Sequence, residues 1–272
     1  MIIGKIPELS VPATWADAAG DVDVATAEDL LAALLAPAHP ARRLALTATG
    51  FADRLRIALA GDAGSAVVAF PDGMSVHLAA LLVAEVLGGA RVNHVPLVGP
   101  VHEVNSTSDK EAWHTDASPW LVPNRWTLLG SVSCAPRWAQ APTCVLPFTR
   151  ALADWPERAH HLRVLTSHQA NWRQTFDGAG ENLVPAIVPD AVHRWIRLAV
   201  PAEFADDGPV GAAYRSFDAW LASVPSWYEA VVRPGSLLII DNHRVLHHGP
   251  AVEDPDERVV LRVKPGGVPD LP

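Results

Sequence analysis

Cysteine is scarce in this chain of 272 residues, and no stretch carries a run of positive charge. Cys134 and Cys144 are the only cysteines, too few for a disulfide-stabilised extracellular scaffold. Lys and Arg number 21 against 30 Asp and Glu, which gives a net charge of −9. An acidic chain without basic clusters argues against nucleic acid or an anionic membrane as a partner.

Long apolar runs are missing as well. The longest apolar stretch, from Leu78 to Leu87, is interrupted by Glu85 and is too short to span a bilayer. The N-terminal segment from Met1 to Pro7 lacks the apolar core of a secretion signal. We therefore expect a cytoplasmic protein with reduced cysteines.

Hydrophobic periodicity predicts helices before residue 100 and mostly strands after it. The Thr26-x-x-Asp29 pattern resembles a capping box at the start of the first clear helix, and Pro225 should break or kink the last one. The predicted helices span residues 30–35, 51–60, 75–87, 149–161 and 209–232. The predicted strands span residues 65–70, 91–98, 124–132, 143–146, 164–172, 194–200, 237–240 and 258–263.

This order of elements predicts a single domain over residues 1–272. Its class is mixed α and β but mainly β, a double-stranded β-helix (distorted jelly roll) flanked by helices. Helical and strand elements occupy about residues 1–100. The jelly-roll core occupies about residues 101–268, with a helical insertion at about 205–232.

A histidine and an aspartate two residues apart are the first candidate metal ligands. On a β-strand, the side chains of His114 and Asp116 point to the same face. An imidazole beside a carboxylate forms two-thirds of the 2-His-1-carboxylate triad that holds Fe(II). The pair alone is a common spacing, so the prediction depends on a third ligand elsewhere.

A second stretch, near the C-terminus, offers that ligand. The apolar run from Leu237 to Ile240 predicts a buried strand, and Asp241-Asn242 follows with turn chemistry. His247 comes shortly after the turn. In the next predicted strand Arg258, Val260 and Arg262 share one face, while Val259, Leu261 and Val263 take the other. Two inward arginines about 13 Å apart need two separate anionic partners.

Together these segments resemble the taurine dioxygenase and clavaminate synthase-like family of Fe(II)- and 2-oxoglutarate-dependent oxygenases. The resemblance spans about residues 113–264 and rests on His114-x-Asp116, Asp241-Asn242-x-Arg244-Val245-Leu246-His247, Arg258 and Arg262. It implies Fe(II), with 2-oxoglutarate and O2 as co-substrates that yield succinate and CO2. The organic substrate would be a small polar metabolite, such as an amino acid or related carboxylate, that is hydroxylated, desaturated or cyclised.

The resemblance also implies a role for each candidate residue. The metal ligands would be His114, Asp116 and His247. Arg258, with Thr143, would bind the distal carboxylate of 2-oxoglutarate, and Arg262 would bind an anionic group of the substrate. Proximity to the ligands adds Asn105, Ser118 and Trp120 as substrate-binding candidates.

Some positions depart from the family pattern or refine it. Related halogenases typically carry a small residue at position 116, so Asp116 favours oxygenation over chlorination. Gln140-Ala141-Pro142 stands before Thr143 where the family often has Gly-Gly, and His248-Gly249-Pro250 follows the ligand where it often has Gly-Arg. His248, on the opposite strand face, is predicted to be structural. So is Arg244, paired with Asp241 or another carboxylate.

Two other functions remain open on the same residues. One is a Zn(II) enzyme or an iron oxygenase that uses no keto acid, and the other is a jelly-roll binding module without catalysis. Arg258 distinguishes a 2-oxoglutarate-dependent oxygenase from both alternatives, because neither of them needs this arginine. Each arginine also has a structural alternative: Arg258 can pair with Asp254, Asp256 or Glu257, and Arg262 with Asp109 or Glu111.

Overall fold

The computed structural model describes residues 4–18, 20, 22–36, 38–88, 101–105, 113–116, 124–167, 169–172, 182–185, 187–189, 194–196, 208–224, 228–250, 252, 254 and 257–265. The helices in these ranges are α1 (Ala13–Ala18), α2 (Ala27–Leu35), α3 (Pro40–Leu46), α4 (Thr49–Ala60), α5 (Val76–Val86), α6 (Phe148–Asp154), α7 (Arg158–Ser167) and α8 (Pro209–Leu221). The strands are β1 (Gly4–Lys5), β2 (Glu8–Ser10), β3 (Ser65–Ala69), β4 (Val101–Asn105), β5 (Trp126–Cys134), β6 (Pro142–Pro147), β7 (Gln169–Trp172), β8 (Asn182–Pro185), β9 (Ile187–Pro189), β10 (Arg194–Ile196), β11 (Tyr228–Val231), β12 (Ser236–Asp241), β13 (Val245–His248) and β14 (Arg258–Val263).

Two larger sheets form the centre of this mixed α/β structure. One sheet has six strands in the order β2-β3-β12-β5-β14-β4, and the other has four in the order β1-β11-β6-β13. Strands β7 with β8 and β9 with β10 form two-stranded ribbons. Strands from the first hundred residues, β2 and β3, lie in the same sheet as the late strands β12 and β14. The N-terminal elements are therefore built into the sheet that carries the C-terminal arginines.

Strand β12 is buried along its whole length, as the apolar run from Leu237 to Ile240 predicts. Leu237 and Ile239 belong to the core formed with helices α2 to α5. Leu238 and Ile240 belong to a second core, shared with the four-stranded sheet. Contact on both faces explains why this strand has no polar alternation.

The helical layer packs closely on the six-stranded sheet. A Cβ added to Gly130 on β5 would lie 2.3 Å from Cγ2 of Val76, so α5 can approach the sheet only because glycine stands there. Helix α2 begins with the predicted capping box: Oγ1 of Thr26 accepts from the Asp29 N–H at 3.1 Å, and Oδ2 of Asp29 accepts from the Thr26 N–H at 3.0 Å. Among the described residues, no helix is long and apolar enough to cross a membrane.

Three sequence predictions were wrong around the late helices. The predicted helix 149–161 is two helices, because Pro156 separates α6 from α7. The predicted strand 164–172 begins only at β7, since α7 continues to Ser167 and packs Leu165 into the core around α8. The predicted helix 209–232 ends at Leu221. The residues from Tyr228 are strand β11, whose alternating burial is the period-2 pattern of a sheet.

The helices predicted at 51–60 and 75–87 and the strands predicted at 65–70, 124–132, 143–146, 237–240 and 258–263 are confirmed within two residues. The helix predicted at 30–35 begins three residues earlier, and of the strand predicted at 194–200 the structure describes only residues 194–196, which form β10. The predicted strand 91–98 lies outside the described residues.

Candidate metal centre

His247 is positioned by the chain reversal between the two larger sheets. Strand β12 ends at Asp241, and the turn closes with the Arg244 N–H donating to the Asp241 carbonyl at 2.9 Å. The chain then enters β13, where His247 lies opposite Val145 of β6. Directly paired residues share a face of the sheet, and Val145 belongs to the core between the sheets. The His247 imidazole therefore faces the space between the sheets, and it is buried.

His114 is joined to His247 through the backbone. The His114 N–H donates to the His247 carbonyl and the His247 N–H donates to the His114 carbonyl, each at 3.0 Å. This single bridge is the only strand-type pairing of residues 113–116, and Asp116 lies in a turn, so the expected regular strand is not formed there. The bridge nevertheless places the two rings side by side, with centroids 4.4 Å apart.

Asp116 is held at its backbone and at its carboxylate. Oδ1 of Asn242 accepts from the Asp116 N–H at 2.7 Å, and Nδ2 of Asn242 donates to the Asp116 carbonyl at 3.0 Å. Oγ1 of Thr127 on β5 donates to Asp116 Oδ2 at 2.7 Å. Nδ2 of Asn124 donates in turn to Thr127 Oγ1 at 3.1 Å. All four side chains are buried, so this network fixes the direction of the carboxylate.

His114, Asp116 and His247 converge on one point. Their candidate ligand atoms all lie within 4.8 Å of one another, and His247 Nε2 is 3.7 Å from Asp116 Oδ2. His247 Nδ1 is buried and has no hydrogen-bond partner among the described residues. Two imidazoles and one carboxylate at this spacing fit a divalent metal ion, and metal triads of this composition leave coordination positions for further ligands.

The electrostatics of the cluster keep His247 and Asp116 in the form that binds metal. Burial lowers the pKa of His247 to about 3, and the nearby His114 adds to the effect, so its imidazole is neutral at pH 7. Burial by itself raises the pKa of Asp116. The nearby Lys264 and Arg262, with smaller contributions from His247 and His114, together outweigh the effect of burial and hold that pKa well below its usual range. A neutral imidazole and an ionised carboxylate need lose no proton to bind a cation.

Three cationic side chains lie on the inward face of β14 and directly after it: Arg258, Arg262 and Lys264. Nη1 of Arg262 lies 3.2 Å from Asp116 Oδ1, and Nζ of Lys264 lies 3.7 Å from the same oxygen. Leu261 and Val263 pack against the helices instead, as the predicted alternation requires. Arg258 is 3% exposed, and burial lowers its pKa. Its Nη1 lies 3.9 Å from the position that a Cβ would take on Gly249.

Of the remaining predicted site residues, the structure describes Thr143 and Asn105. Thr143 is buried on β6, two residues before Val145, so it shares the inward face with His247. Asn105 ends β4 and its backbone pairs with Val259 of β14. Ser118 and Trp120 lie outside the described residues.

Two predicted structural roles take a different or a clearer form. The carboxylate partner predicted for Arg244 was wrong. Its guanidinium donates to the carbonyls of Leu59 and Gly61, at 2.7 and 3.3 Å, where α4 ends and leaves carbonyls without helical partners. His248 packs edge-on against Trp113 with ring centroids 4.5 Å apart, on the strand face away from the candidate metal ligands. Glu257, a partner considered for Arg258, instead accepts hydrogen bonds from Arg137 and Trp138.

Sequence reasoning missed Thr127 and Lys264 and gave Asn242 only a turn role. The position of Lys264 was available from the sequence, because it continues the alternation from Arg258 and Arg262 by two residues. Thr127 and Asn242 act on Asp116 across the fold, and no local pattern indicates such a contact.

The chain matches no protein-family model and no curated protein sequence. It does match solved structures of the non-heme iron oxygenase OrfP over almost the whole length of both chains. The mutant in complex with (3S)-hydroxy-L-Arg has 22% identity and a TM-score of 0.63, covering 96% of this chain and 94% of that one. The complex with Fe and alpha-ketoglutaric acid has 18% identity and a TM-score of 0.62, covering 96% and 93%. The complex with Fe and L-homoarginine has 21% identity and a TM-score of 0.60, covering 95% and 93%.

This chain therefore has the fold of a non-heme iron oxygenase. At these identities the likeness concerns the fold. Function depends on the residues of the site itself.

Proposed function

We propose that the protein is an Fe(II)- and 2-oxoglutarate-dependent oxygenase. The observation that carries the proposal is the convergence of His114, Asp116 and His247 within 4.8 Å on a non-heme iron oxygenase fold. The resemblance of the motifs to the taurine dioxygenase and clavaminate synthase-like family supports the same function. We infer that the two larger sheets are the two layers of its double-stranded β-helix, and that residues 1–272 form one oxygenase domain.

His114, Asp116 and His247 would hold the iron on one side and leave positions open on the other. When bound, Fe(II) supplies activation of O2, coupled to oxidation of 2-oxoglutarate to succinate and CO2. The protein's own part is orientation. Thr127 and Asn242 fix Asp116, and the backbone bridge sets the two imidazoles side by side. Asp116 and His247 are buried between the sheets, which limits the access of bulk water to the reacting groups.

Arg258 is the proposed partner for the distal carboxylate of 2-oxoglutarate. Its guanidinium is buried on the inward face, where a planar fork suits bidentate pairing with a carboxylate. Thr143, buried on the facing sheet, is the proposed second contact. A Zn(II) hydrolase or an iron oxygenase without a keto acid has no use for this arginine, so Arg258 favours the 2-oxoglutarate-dependent reaction.

The proposed organic substrate is a small amino acid or a related carboxylate. OrfP has been solved with (3S)-hydroxy-L-Arg, L-canavanine and L-homoarginine, all amino acids with a guanidine-type side chain, which supports an amino acid of that size here. Arg262 is the proposed contact for its carboxylate, and Asn105, Ser118 and Trp120 remain candidate contacts. The product would be hydroxylated, desaturated or cyclised.

We further propose a cytoplasmic location and a small molecule as the binding partner. The chain has only two cysteines, and Cys134 and Cys144 are not joined in a disulfide, as expected of a protein from a reducing compartment.

A succinate-release screen tests the proposed function. Protein reconstituted with Fe(II), ascorbate and 2-oxoglutarate is offered amino acids, amines and sulfonates, and the Asp116→Ala variant is the control. We expect succinate that depends on one class of compound and is absent with the variant. Tightly bound Zn(II) in protein purified without oxygen, with no succinate from any compound, would favour a zinc enzyme. Protein that binds neither metal would favour a binding module.

A further inference from the structure

Lys264 is the second positively charged residue next to the carboxylate of Asp116, after Arg262. Its Nζ lies 3.7 Å from Asp116 Oδ1, and Nη1 of Arg262 lies 3.2 Å from the same atom. The Lys264 side chain is only 14% exposed. One carboxylate oxygen thus faces two cations in a mostly buried position.

The negative charge of Asp116 compensates the charges of Lys264 and Arg262 only while no metal ion is bound to that carboxylate. A mostly buried ammonium is costly unless a negative charge lies next to it. If Asp116 is a metal ligand, its charge is shared with a divalent cation. Lys264 and Arg262 would then face a third positive centre at close range, and like charges at such distances repel strongly. The metal-loaded site therefore needs another anion beside these two side chains.

Among the residues that the structure describes, the two side chains have donors left for such an anion. Arg262 Nε is buried and has no hydrogen-bond partner there. An ammonium carries three N–H donors, and within the same residues both cations contact Oδ1 of Asp116 alone. A guanidinium fork and an ammonium placed together match the several lone pairs of one carboxylate.

We propose that Lys264 joins Arg262 in a two-cation subsite for a carboxylate of the organic substrate, and that Asp116 occupies these cations while the metal is absent. The inference rests on the proposed function and deepens it, because it makes Lys264 a specificity-determining residue. It also names the substrate class: small carboxylic acids, amino acids included, and not amines that lack a carboxylate.

The test measures binding rather than turnover. Without oxygen, the complex of the protein with Fe(II) and 2-oxoglutarate is followed by its charge-transfer absorption. Each of the proteinogenic L-amino acids, and the amine that remains after its decarboxylation, is then titrated in. A change in the absorption reports binding near the metal. Two variants change the site: Lys264→Met removes the charge and Lys264→Arg keeps it. The control is Lys5→Met, which removes an exposed lysine of strand β1.

We expect at least one acid to bind the wild-type complex about ten-fold or more tightly than its amine, since a charge-assisted hydrogen bond is worth more than a factor of ten. Lys264→Met should weaken the binding of that acid by a similar factor and leave the charge-transfer absorption from 2-oxoglutarate unchanged. Lys264→Arg and Lys5→Met should stay close to wild type.

Several results would overturn the inference: equal binding of acids and amines, no acid that binds, or unchanged acid binding in Lys264→Met. Loss of the 2-oxoglutarate absorption in that variant would also overturn it, because Lys264 would then serve the metal site rather than the substrate. Absence of the absorption in wild-type protein would instead contradict the proposed function itself.

Discussion

The Asn242 side chain satisfies both backbone polar groups of Asp116. Its Oδ1 accepts from the Asp116 N–H at 2.7 Å, and its Nδ2 donates to the Asp116 carbonyl at 3.0 Å and to the Asn124 carbonyl at 2.9 Å. Asn242 is 1% exposed and lies in the turn that leads into the strand of His247. One amide therefore ties the two segments that carry the candidate ligands.

Asn242→Ala should weaken both the fold and the metal site. Each buried backbone group that loses its partner costs about 1–3 kcal/mol. Loss of a group that orients a ligand typically lowers metal affinity by about 10–100-fold. Thermal unfolding and an anaerobic titration with Co(II) measure the two effects. The Asn242→Asp side chain keeps the acceptor and loses the donors. Its stability and its Co(II) affinity should therefore lie between those of the wild type and those of Asn242→Ala. Wild-type Co(II) affinity in Asn242→Ala would show that Asp116 is oriented by other contacts.

Arg258→Ala should raise the apparent 2-oxoglutarate constant by at least ten-fold. Removing one partner of a buried charged pair costs about 3–5 kcal/mol, and about 1.4 kcal/mol corresponds to a factor of ten. Arg258→Lys should recover only part of the loss, because a point charge replaces a planar fork. Succinate release as a function of 2-oxoglutarate concentration gives the constant. An unchanged dependence in the alanine variant would make Arg258 a structural residue.

Arg262→Ala should impair substrate turnover and leave 2-oxoglutarate binding nearly intact. The reason is distance: Arg262 lies four strand residues from Arg258, about 13 Å, so the two cannot serve the same carboxylate. The structure gives Arg262 a carboxylate partner within the protein, Asp116. Asp109 and Glu111, the partners considered from the sequence, lie outside the described residues. If the variant unfolds, or loses 2-oxoglutarate and substrate together, Arg262 acts as the ion-pair partner of Asp116 and not as a substrate contact.

The product should contain no chlorine. In the proposed metal centre, Asp116 would occupy the ligand position that halogenases of the resembling family leave to chloride, and Thr127 and Asn242 hold its carboxylate and backbone in place. The reaction is run with excess chloride once a substrate is known, and the products are analysed by mass spectrometry. A product heavier by oxygen, or lighter by two hydrogens, is expected. A chlorinated product would contradict this role for Asp116.

The sequence predicted best what depends on local periodicity. The buried run of β12, the turn at Asp241 and the two faces of β14 follow from spacing and turn chemistry alone, and each is confirmed. The strand β11 was missed because residues 228–231 follow directly on a helical pattern, and pairing with β6 decides their conformation. Local preference does not determine such a tertiary pairing.

The candidate site divides in the same way. The grouping of His114, Asp116 and His247 could be predicted because their motifs together resemble those of an oxygenase family. The groups that hold Asp116 could not be found by spacing, because Thr127 and Asn242 reach it from other parts of the chain. Arg244 is an example of a wrong partner predicted from nearby residues. The neighbouring Asp241 suggested a carboxylate partner, but the Arg244 guanidinium donates to two carbonyls at the end of α4.

Iron binding by His114, Asp116 and His247 is best tested by an anaerobic titration of the protein with Fe(II) in the presence of 2-oxoglutarate. We expect a charge-transfer absorption that saturates at one iron per chain, and its loss in Asp116→Ala and His247→Ala variants that remain folded. No absorption in the wild-type protein, or the same absorption in both variants, would contradict the proposed metal centre.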